Sequence, residues 1–249
     1  MFKSFTITAL LCFFMLLSGV AIAAGEPTAL ITGANRGIGL EFVKQLQAQG
    51  YNVIGTARKP QKAADLKKTG AKVLQLDVTD SASVSSLADA LKGQPIDLLI
   101  NNAGVSGHDA PTFKDTDFDK IAFTFDVNSL GPMRVTQALL DNVLMSKQKR
   151  VVHISSIMGS IEKNWGGSYG YRASKTALNM FNSSLAIEIG KQGVTSVVLH
   201  PGWVKTDMGG ASAQVETVDS VAGMVKVISG LTLADSGRFV DFQGVELPW

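Results

Sequence analysis

Tyr171 and Lys175 lie four positions apart in a segment whose apolar residues recur with helical spacing. Residues four apart share one face of an α-helix, so the phenol and the ammonium group are predicted to lie side by side. A tyrosine has an ordinary pKa of about 10, and a neighbouring cation lowers that pKa by favouring the phenolate. The pair therefore predicts a proton-transfer site in which Tyr171 is the acid or base and Lys175 tunes it. The same spacing also occurs by chance on helix surfaces, so the prediction depends on its context.

Two serines, Ser155 and Ser156, follow a predicted buried strand at 151–154. A hydroxyl group at this place can donate a hydrogen bond to a carbonyl oxygen as negative charge develops on it. The residues alone leave both serines open as that donor. The segment that follows includes residues 164–167 and is predicted to bulge at the mouth of the site.

A glycine-rich turn follows the first predicted strand and precedes the first predicted helix. Glycine lets the backbone approach a pyrophosphate, whose charge is stabilised by the free N–H groups at a helix N-terminus. Three residues separate the first two glycines, which differs from the common G-x-G-x-x-G spacing. The residues predicted to hold a dinucleotide here are Gly33, Asn35, Arg36, Gly37, Ile38 and Gly39.

The residues after the second predicted strand indicate which dinucleotide is bound. A site for NAD(H) commonly has an acidic residue about twenty positions beyond the glycines, where it bonds the ribose hydroxyls. This chain has Arg58 there instead, and Arg36 inside the turn. Two guanidinium groups suit a 2′-phosphate, which accepts paired, charge-assisted hydrogen bonds, so the prediction is NADP(H) rather than NAD(H). The nearby lysines are interpreted as a solvated face: Lys59, Lys62, Lys67 and Lys68.

Short apolar strands that alternate with segments of helical periodicity must position these residues. Continuous apolar strands between helices are typical of a parallel sheet covered on both faces. No repeat or linker divides the chain. The predicted fold class is therefore α/β, a single doubly wound Rossmann-type domain with a parallel sheet of about seven strands. The predicted strands begin near residues 29, 53, 73, 98, 151, 197 and 239, and helices are predicted at 38–46, 84–91, through 139–140, at 173–189 and at 221–228.

Composition excludes several classes of protein. With 45% hydrophobic and 18% charged residues, the chain has ample material for a core and is not a disordered sequence. Its formal charge of +2 is scattered, which argues against a nucleic-acid partner. Its one cysteine, Cys12, excludes an internal disulfide.

Residues 1–23 are interpreted as a secretory signal. Lys3 precedes an apolar run, and residues 21–23 supply small side chains at the spacing that a signal peptidase recognises. The alternative is an uncleaved anchor, because residues 5–24 carry no charge and are just long enough to span a bilayer. The expectation is export to the periplasm or a secretory compartment, or otherwise attachment to a membrane, with residues 24–249 as the folded domain.

Several other residues invite a functional interpretation. His108, His153 and His200 have no metal-ligand spacing, so no metal site is predicted, and His153 is interpreted as a core histidine. Trp165 and Trp203 lie in loops beside the predicted site. Two interpretations stay open for these tryptophans: an aromatic wall for an apolar substrate, or simple packing of the loops.

Taken in order, these motifs resemble those of the short-chain dehydrogenase/reductase family. The resemblance rests on the glycine-rich turn, residues 77–78 and 101–104, the Tyr171–Lys175 pair and residues 201–202, and it covers nearly everything after the N-terminal segment. Residues 155–160 with 171–175, and residues 237–239 running to 247–249, are similar to the subgroup of C-factor and Sniffer-like carbonyl reductases.

The resemblance implies a role for particular residues. The catalytic set would be Asn128, Ser156, Tyr171 and Lys175, in which Ser156 rather than Ser155 orients the carbonyl and Asn128 holds a water that links Lys175 to solvent. The cofactor site would also include residues that contact the adenine, line the cleft or meet the nicotinamide amide and phosphates: Asp77, Val78, Asn102, Ala103, Gly104, Tyr171, Lys175, Pro201, Gly202, Val204 and Thr206.

The implied activity is NADP(H)-dependent interconversion of a small carbonyl compound and its alcohol. The alternative is a dinucleotide-binding signalling protein of the C-factor type with little or no turnover. Family members usually associate through the long helices before residue 147 and after Tyr171, so a homodimer or homotetramer is expected.

Overall fold

The structure is a computed structural model of the chain, and it describes residues 25–107 and 112–249. The predicted signal or anchor at 1–23 and the loop histidine His108 lie outside these described residues. Within the two described ranges, no helix is long and apolar enough to span a membrane.

Seven parallel strands form one sheet in the order β3-β2-β1-β4-β5-β6-β7. From β1 the chain builds outward in one direction through β2 and β3, and β4 then returns to the other side of β1. A crevice forms at the carboxyl edge of a sheet where the order reverses in this way. The strands are β1 Thr28–Ile31, β2 Asn52–Ala57, β3 Lys72–Gln75, β4 Leu98–Asn101, β5 Arg150–Ile154, β6 Thr195–His200 and β7 Phe239–Asp241. The predicted fold class is confirmed.

Helices cover both faces of the sheet, with α1, α2 and α7 on one face and α3, α5 and α6 on the other. The helix predicted at 173–189 begins four residues earlier, which places Tyr171 in its first turn. The short helix α2 was not predicted, because five residues are too few to show a helical period. The helices are α1 Gly37–Ala48, α2 Ala64–Lys68, α3 Ser81–Ala90, α4 Phe118–Phe125, α5 Gly131–Leu144, α6 Tyr169–Gly190 and α7 Thr217–Gly230.

Neighbouring residues of each strand contribute to different hydrophobic cores. In β1, Leu30 packs beneath α3 and α5, whereas Ile31 packs beneath α1 and α7. Both side chains are fully buried. The sheet is therefore held from both sides, and the polar residues that follow each strand lie on a rigid edge.

Candidate active site

A cleft of about 860 Å³ opens at the carboxyl edge of the sheet. Its walls come from the segments that follow β1 to β6, which is the place expected for a ligand in this fold. All of the predicted cofactor residues line this cleft except Gly202 and Val204.

The glycine-rich turn brings bare backbone to the cleft. Gly33 has a φ of +65°, and a Cβ at this position would lie 3.0 Å from the Cα of Ala103. A Cβ at Gly39 would overlap the Gly33 carbonyl oxygen and the side-chain amide of Asn102. Only glycine fits these two positions, and the backbone that they expose at the start of α1 suits a pyrophosphate.

Thr32, at the end of β1, fixes this turn to the loop after β4. Its Oγ1 accepts hydrogen bonds from the backbone N–H of Asn102 at 2.9 Å and of Ala103 at 3.0 Å. The Asn102 amide in turn donates to the Thr32 carbonyl oxygen at 2.9 Å. Thr32 was not predicted as a site residue, because a threonine at the end of a strand is too common to be a signal.

A group of cations lines one part of the cleft. Arg58, Lys59 and Lys62 follow β2 there, and Arg36 pairs with Asp207 across the entrance at 3.1 Å. Lys59 and Lys62 are exposed, as the interpretation of a solvated face predicts, and they also line the cleft, whereas Lys67 and Lys68 are exposed and do not line it. These cationic side chains are exposed to solvent in the cleft, where a phosphate group could contact them.

Asp77 and Val78, predicted to contact an adenine, lie in the cleft wall after β3. The Asp77 carboxylate accepts hydrogen bonds from the Thr79 backbone N–H at 3.0 Å and from the Thr79 hydroxyl at 2.7 Å. Thr79 also lines the cleft. These bonds fix the direction of the carboxylate.

Gly202 and Val204 instead position the loop after β6. Gly202 has a φ of +84°, and a Cβ there would lie 3.1 Å from the Phe242 ring. Val204 is 4% exposed and forms a β-bridge with Val215. Both residues face the body of the protein rather than the cleft, because the turn after β6 packs them there, whereas Thr206 reaches the cleft.

The two candidate serines have different environments. The Ser155 hydroxyl is buried and donates to Oδ1 of Asn179 in α6 at 2.6 Å. The Ser156 hydroxyl accepts from the Met158 backbone N–H at 3.2 Å and is hydrogen-bonded to Tyr171. Ser155 therefore serves the packing of α6, and Ser156 is the serine beside the phenol.

Burial decides the pKa values of the tyrosine and the lysine. Burial raises the pKa of Tyr171, and the hydrogen bond with Ser156 only partly opposes it. Burial also lowers the pKa of Lys175 to about 8. The lysine Nζ lies 5.8 Å from the centre of the Tyr171 ring and donates to the Ile154 carbonyl oxygen at 2.9 Å. The phenol pKa is thus raised, not lowered as the Tyr–Lys spacing alone predicts.

Asn128 lies in a π-helical turn, Asp126–Leu130, that joins α4 to α5. Its Oδ1 accepts from the Val105 N–H at 2.8 Å, and its Nδ2 donates to the Val105 carbonyl oxygen at 2.9 Å and to Ser174 Oγ at 3.1 Å. Turns of this type often occur at functional sites. Here the turn lets Asn128 fix the cleft wall at Val105, and its role as a water ligand stays a prediction.

His153 is fully buried, as predicted, behind the lysine. Its Nδ1 lies 3.2 Å from the Nδ2 of Asn101. Burial, with the charge of Lys175, lowers the pKa of His153 to about 3. Among the residues that the structure describes, no group of His, Cys, Asp or Glu could hold a metal ion.

The parallel sheet, its switch point and the glycine-lined cleft define a Rossmann-type α/β domain. The family model described as "short chain dehydrogenase" matches residues 27–217. The chain belongs to the short-chain dehydrogenase/reductase family of oxidoreductases.

The chain is similar to curated proteins and to solved structures. The C-signal protein of Myxococcus xanthus is 50% identical over 156 residues, which is 62% of this chain and 93% of that protein. The NADPH-bound carbonyl reductase from chicken fatty liver is 36% identical with a TM-score of 0.84, covering 91% of this chain and all of that one. The carbonyl reductase Sniffer of D. melanogaster is 32% identical with a TM-score of 0.85, covering 90% of this chain and all of that one.

Proposed function

We propose that this protein is an NADP(H)-dependent oxidoreductase that interconverts a small aldehyde or ketone and the corresponding alcohol. The observation that carries the proposal is the arrangement of Tyr171 and the buried Lys175 in a cleft built for a dinucleotide, with Ser156 beside the phenol. Two of these three residues line that cleft themselves.

NADPH, when bound, supplies a hydride to the carbonyl carbon. The protein then has to orient the carbonyl and give its oxygen a proton. Ser156 hydrogen-bonds the oxygen as negative charge develops, and Tyr171 donates the proton. Burial favours this direction, because a raised pKa keeps the phenol protonated at neutral pH. Lys175, with a pKa of about 8, can accept or release a proton near neutral pH and so restore the tyrosine.

The cofactor proposal rests on charge in the cleft. Arg36, Arg58, Lys59 and Lys62 all line it, and a 2′-phosphate is the group of NADP(H) that such cations would bind. The similar chicken enzyme is described as NADPH-bound, which agrees with this choice.

The test is an NADPH-oxidation assay over a panel of aldehydes, ketones and quinones, with Tyr171→Phe as the inactive variant. Losing the general acid should reduce turnover by about 100-fold or more. The dissociation constant for NADPH, measured by fluorescence, should stay the same. Tyr169→Phe is the matched control, because Tyr169 packs on Phe113 at the surface. A Tyr171→Phe enzyme with turnover near wild type would contradict the mechanism.

A second function is favoured by the 50% identity to C-signal, a protein whose name denotes a signal. In that case the domain would bind a dinucleotide and act through another protein with little or no turnover. The same assay separates the two proposals. NADPH binding without oxidation over the whole substrate panel would support the signalling function, whereas turnover that depends on Tyr171 would support the enzyme.

We also propose that residues 1–23 direct export and that the mature chain begins at Ala24, with retention as a membrane anchor as the alternative. Mass spectrometry of the purified N-terminus, combined with cell fractionation, distinguishes them. A homodimer or homotetramer is proposed as well, and light scattering after size exclusion measures it.

A further inference from the structure

We propose that Arg172 is a positioning residue that holds Trp165 as one wall of the substrate entrance, and that it thereby favours bulky apolar carbonyl substrates. The proposal rests on the proposed oxidoreductase function. It concerns the loop between Ser156 and Tyr171, which is predicted from its sequence to bulge at the mouth of the site.

This loop has little packing of its own. Residues 161–167 are all exposed, including Ile161 at 71% and Trp165 at 66%. Gly166 and Gly167 have positive φ angles, and so does Ser168, the residue before α6. A segment with no buried apolar side chain and several left-handed residues does not hold its shape by hydrophobic contact.

Arg172 supplies the missing contacts. Its side chain returns from the first turn of α6 towards the loop, and its Nε donates to the carbonyl oxygens of Gly166 at 3.2 Å and Gly167 at 3.1 Å. The guanidinium carbon lies 4.0 Å from the centre of the Trp165 ring, which is a cation–π contact. One side chain therefore fixes both the backbone of the loop and the orientation of its tryptophan.

Arg172 holds this position at the expense of its own hydrogen bonding. The residue is only 7% exposed, and neither Nη1 nor Nη2 has a hydrogen-bond partner among the described residues. A buried cation without a full set of acceptors destabilises a fold, and the burial lowers the pKa of Arg172. Stability alone thus does not account for an arginine here, whereas the ordering of the loop does.

The wall that Arg172 holds faces an open groove on the loop between Ser156 and Tyr171. Trp165 lines an open groove of about 400 Å³ together with Ile157, Leu247 and Pro248, and the polar residues Glu162, Lys163 and Asn164 complete its lining. The loop that carries Trp165 starts after Ser156 and ends before Tyr171, and Ile157 at its start also lines the groove, so the loop connects the groove to the serine and tyrosine of the site. Its apolar side chains suit the hydrocarbon part of an aldehyde or ketone.

The far side of the groove is also fixed. The backbone oxygen of Trp249 accepts from the Glu162 N–H at 3.0 Å and from the Ser160 hydroxyl at 3.2 Å. The Trp249 ring packs on Phe239 with a centroid distance of 5.5 Å. Trp249 is thus hydrogen-bonded to the start of the loop, and Arg172 is hydrogen-bonded to the end of the same loop.

The experiment compares Arg172→Met, Trp165→Ala and the double variant on two substrates, 2-naphthaldehyde and propanal. Each single variant should raise the KM for naphthaldehyde about 10-fold, the effect expected from losing one aromatic contact, and should leave kcat and the propanal KM nearly unchanged. The double variant should equal the single ones, because both remove the same wall. Arg150→Met is the matched control, since Arg150 bonds the Ser229 and Leu231 carbonyl oxygens away from the cleft.

Two further measurements separate positioning from general destabilisation. Hydrogen exchange of residues 161–168 should become faster in Arg172→Met, while the melting temperature should not fall, because methionine removes the unsatisfied guanidinium. Unchanged exchange, or a KM that rises equally for both substrates, would overturn the proposal. Exchange needs no turnover, so it tests the role of Arg172 even if neither aldehyde is reduced and the proposed activity fails.

Discussion

At the scale of single residues, Tyr171 and Lys175 share one face of α6, and burial shifts both pKa values towards the neutral form of each group. With a pKa of about 8, Lys175 is still mostly protonated at pH 7, whereas Tyr171 is neutral, so the lysine can return a proton to the tyrosine near physiological pH. An anion bound in the same cleft would raise the pKa of Lys175, because it favours the ammonium form. Cofactor binding and the protonation of the lysine are therefore coupled.

Arg58 carries the prediction about cofactor choice. The substitution Arg58→Asp replaces a cation of the cleft with a group that repels a 2′-phosphate, and the KM for NADPH should rise about 10-fold or more. The KM for NADH should change much less, because NADH has no phosphate there. Steady-state kinetics with both cofactors measures the difference.

Lys67→Asp is the control for this prediction. It makes the same reversal of charge on α2, at a residue that does not line the cleft, and should leave both KM values unchanged. An Arg58→Asp enzyme with an unchanged KM for NADPH would contradict the assignment of the phosphate site.

At the scale of elements, the unit of β1, the glycine-rich turn and α1 depends on backbone contacts that leave no room for a side chain. Gly39→Ala would push a methyl group into the Gly33 carbonyl oxygen and the Asn102 amide, neither of which can move freely. The expected result is a loss of about 1–3 kcal/mol in the free energy of unfolding and weaker NADPH binding, measured by urea denaturation and fluorescence titration.

Gly190→Ala, at the end of α6, provides the comparison. A Cβ at Gly190 would meet nothing within 4 Å, so alanine should be neutral or stabilising by up to about 1 kcal/mol. Equal effects of the two substitutions would show that the turn is not sterically restricted.

The strands of the sheet could be predicted from the sequence more accurately than the start of α6. The strands were predictable because buried parallel strands are continuous apolar runs, as in 98–100 and 151–154. The start of α6 was placed four residues late, because residues 169–172 carry no apolar period. Periodicity reports which face of a helix is buried, and the first turn of α6 is held by loop contacts instead.

The residues of the candidate site could be predicted from motifs, but the burial of their side chains could not. The sequence could place Tyr171 beside Lys175, yet the sign of the phenol pKa shift depends on burial, which spacing does not report. Gly202 and Val204 belong to the same stretch as Thr206, but only the folded turn shows which of them reaches the cleft. The lack of hydrogen-bond partners for Nη1 and Nη2 of Arg172 likewise follows from packing alone.

At the scale of the whole molecule, the direction of the parallel strands sets where the described domain begins relative to its cleft. The cleft is at the carboxyl edge of the sheet, whereas β1 begins at the amino edge, only a few residues after the N-terminal segment. The described part of the chain therefore begins at the edge of the sheet opposite the cleft. An N-terminal attachment would therefore leave the proposed substrate entrance accessible.

The stability of the whole domain should depend on pH through His153. Burial lowers the pKa of this histidine from 6.5 to about 3, so the unfolded chain binds a proton that the folded chain does not. Its contribution to stability is fully present above pH 6.5 and is lost as the pH falls towards 3, at up to about 1.4 kcal/mol per pH unit. His200, with a pKa lowered to about 4, acts in the same direction.

Urea denaturation at intervals between pH 7 and pH 4 measures this dependence in the wild-type protein, His153→Gln and His200→Gln. The His153→Gln protein should lose less stability than the wild type as the pH falls, because glutamine does not titrate. Its stability at pH 7 is the internal reference, so any packing defect appears there and not in the slope. The His200→Gln protein should keep the part of the slope that belongs to His153. Parallel curves for the wild type and His153→Gln would contradict this prediction. They would mean that His153 is protonated as easily in the folded chain as in the unfolded chain, and hence that it is not buried behind Lys175.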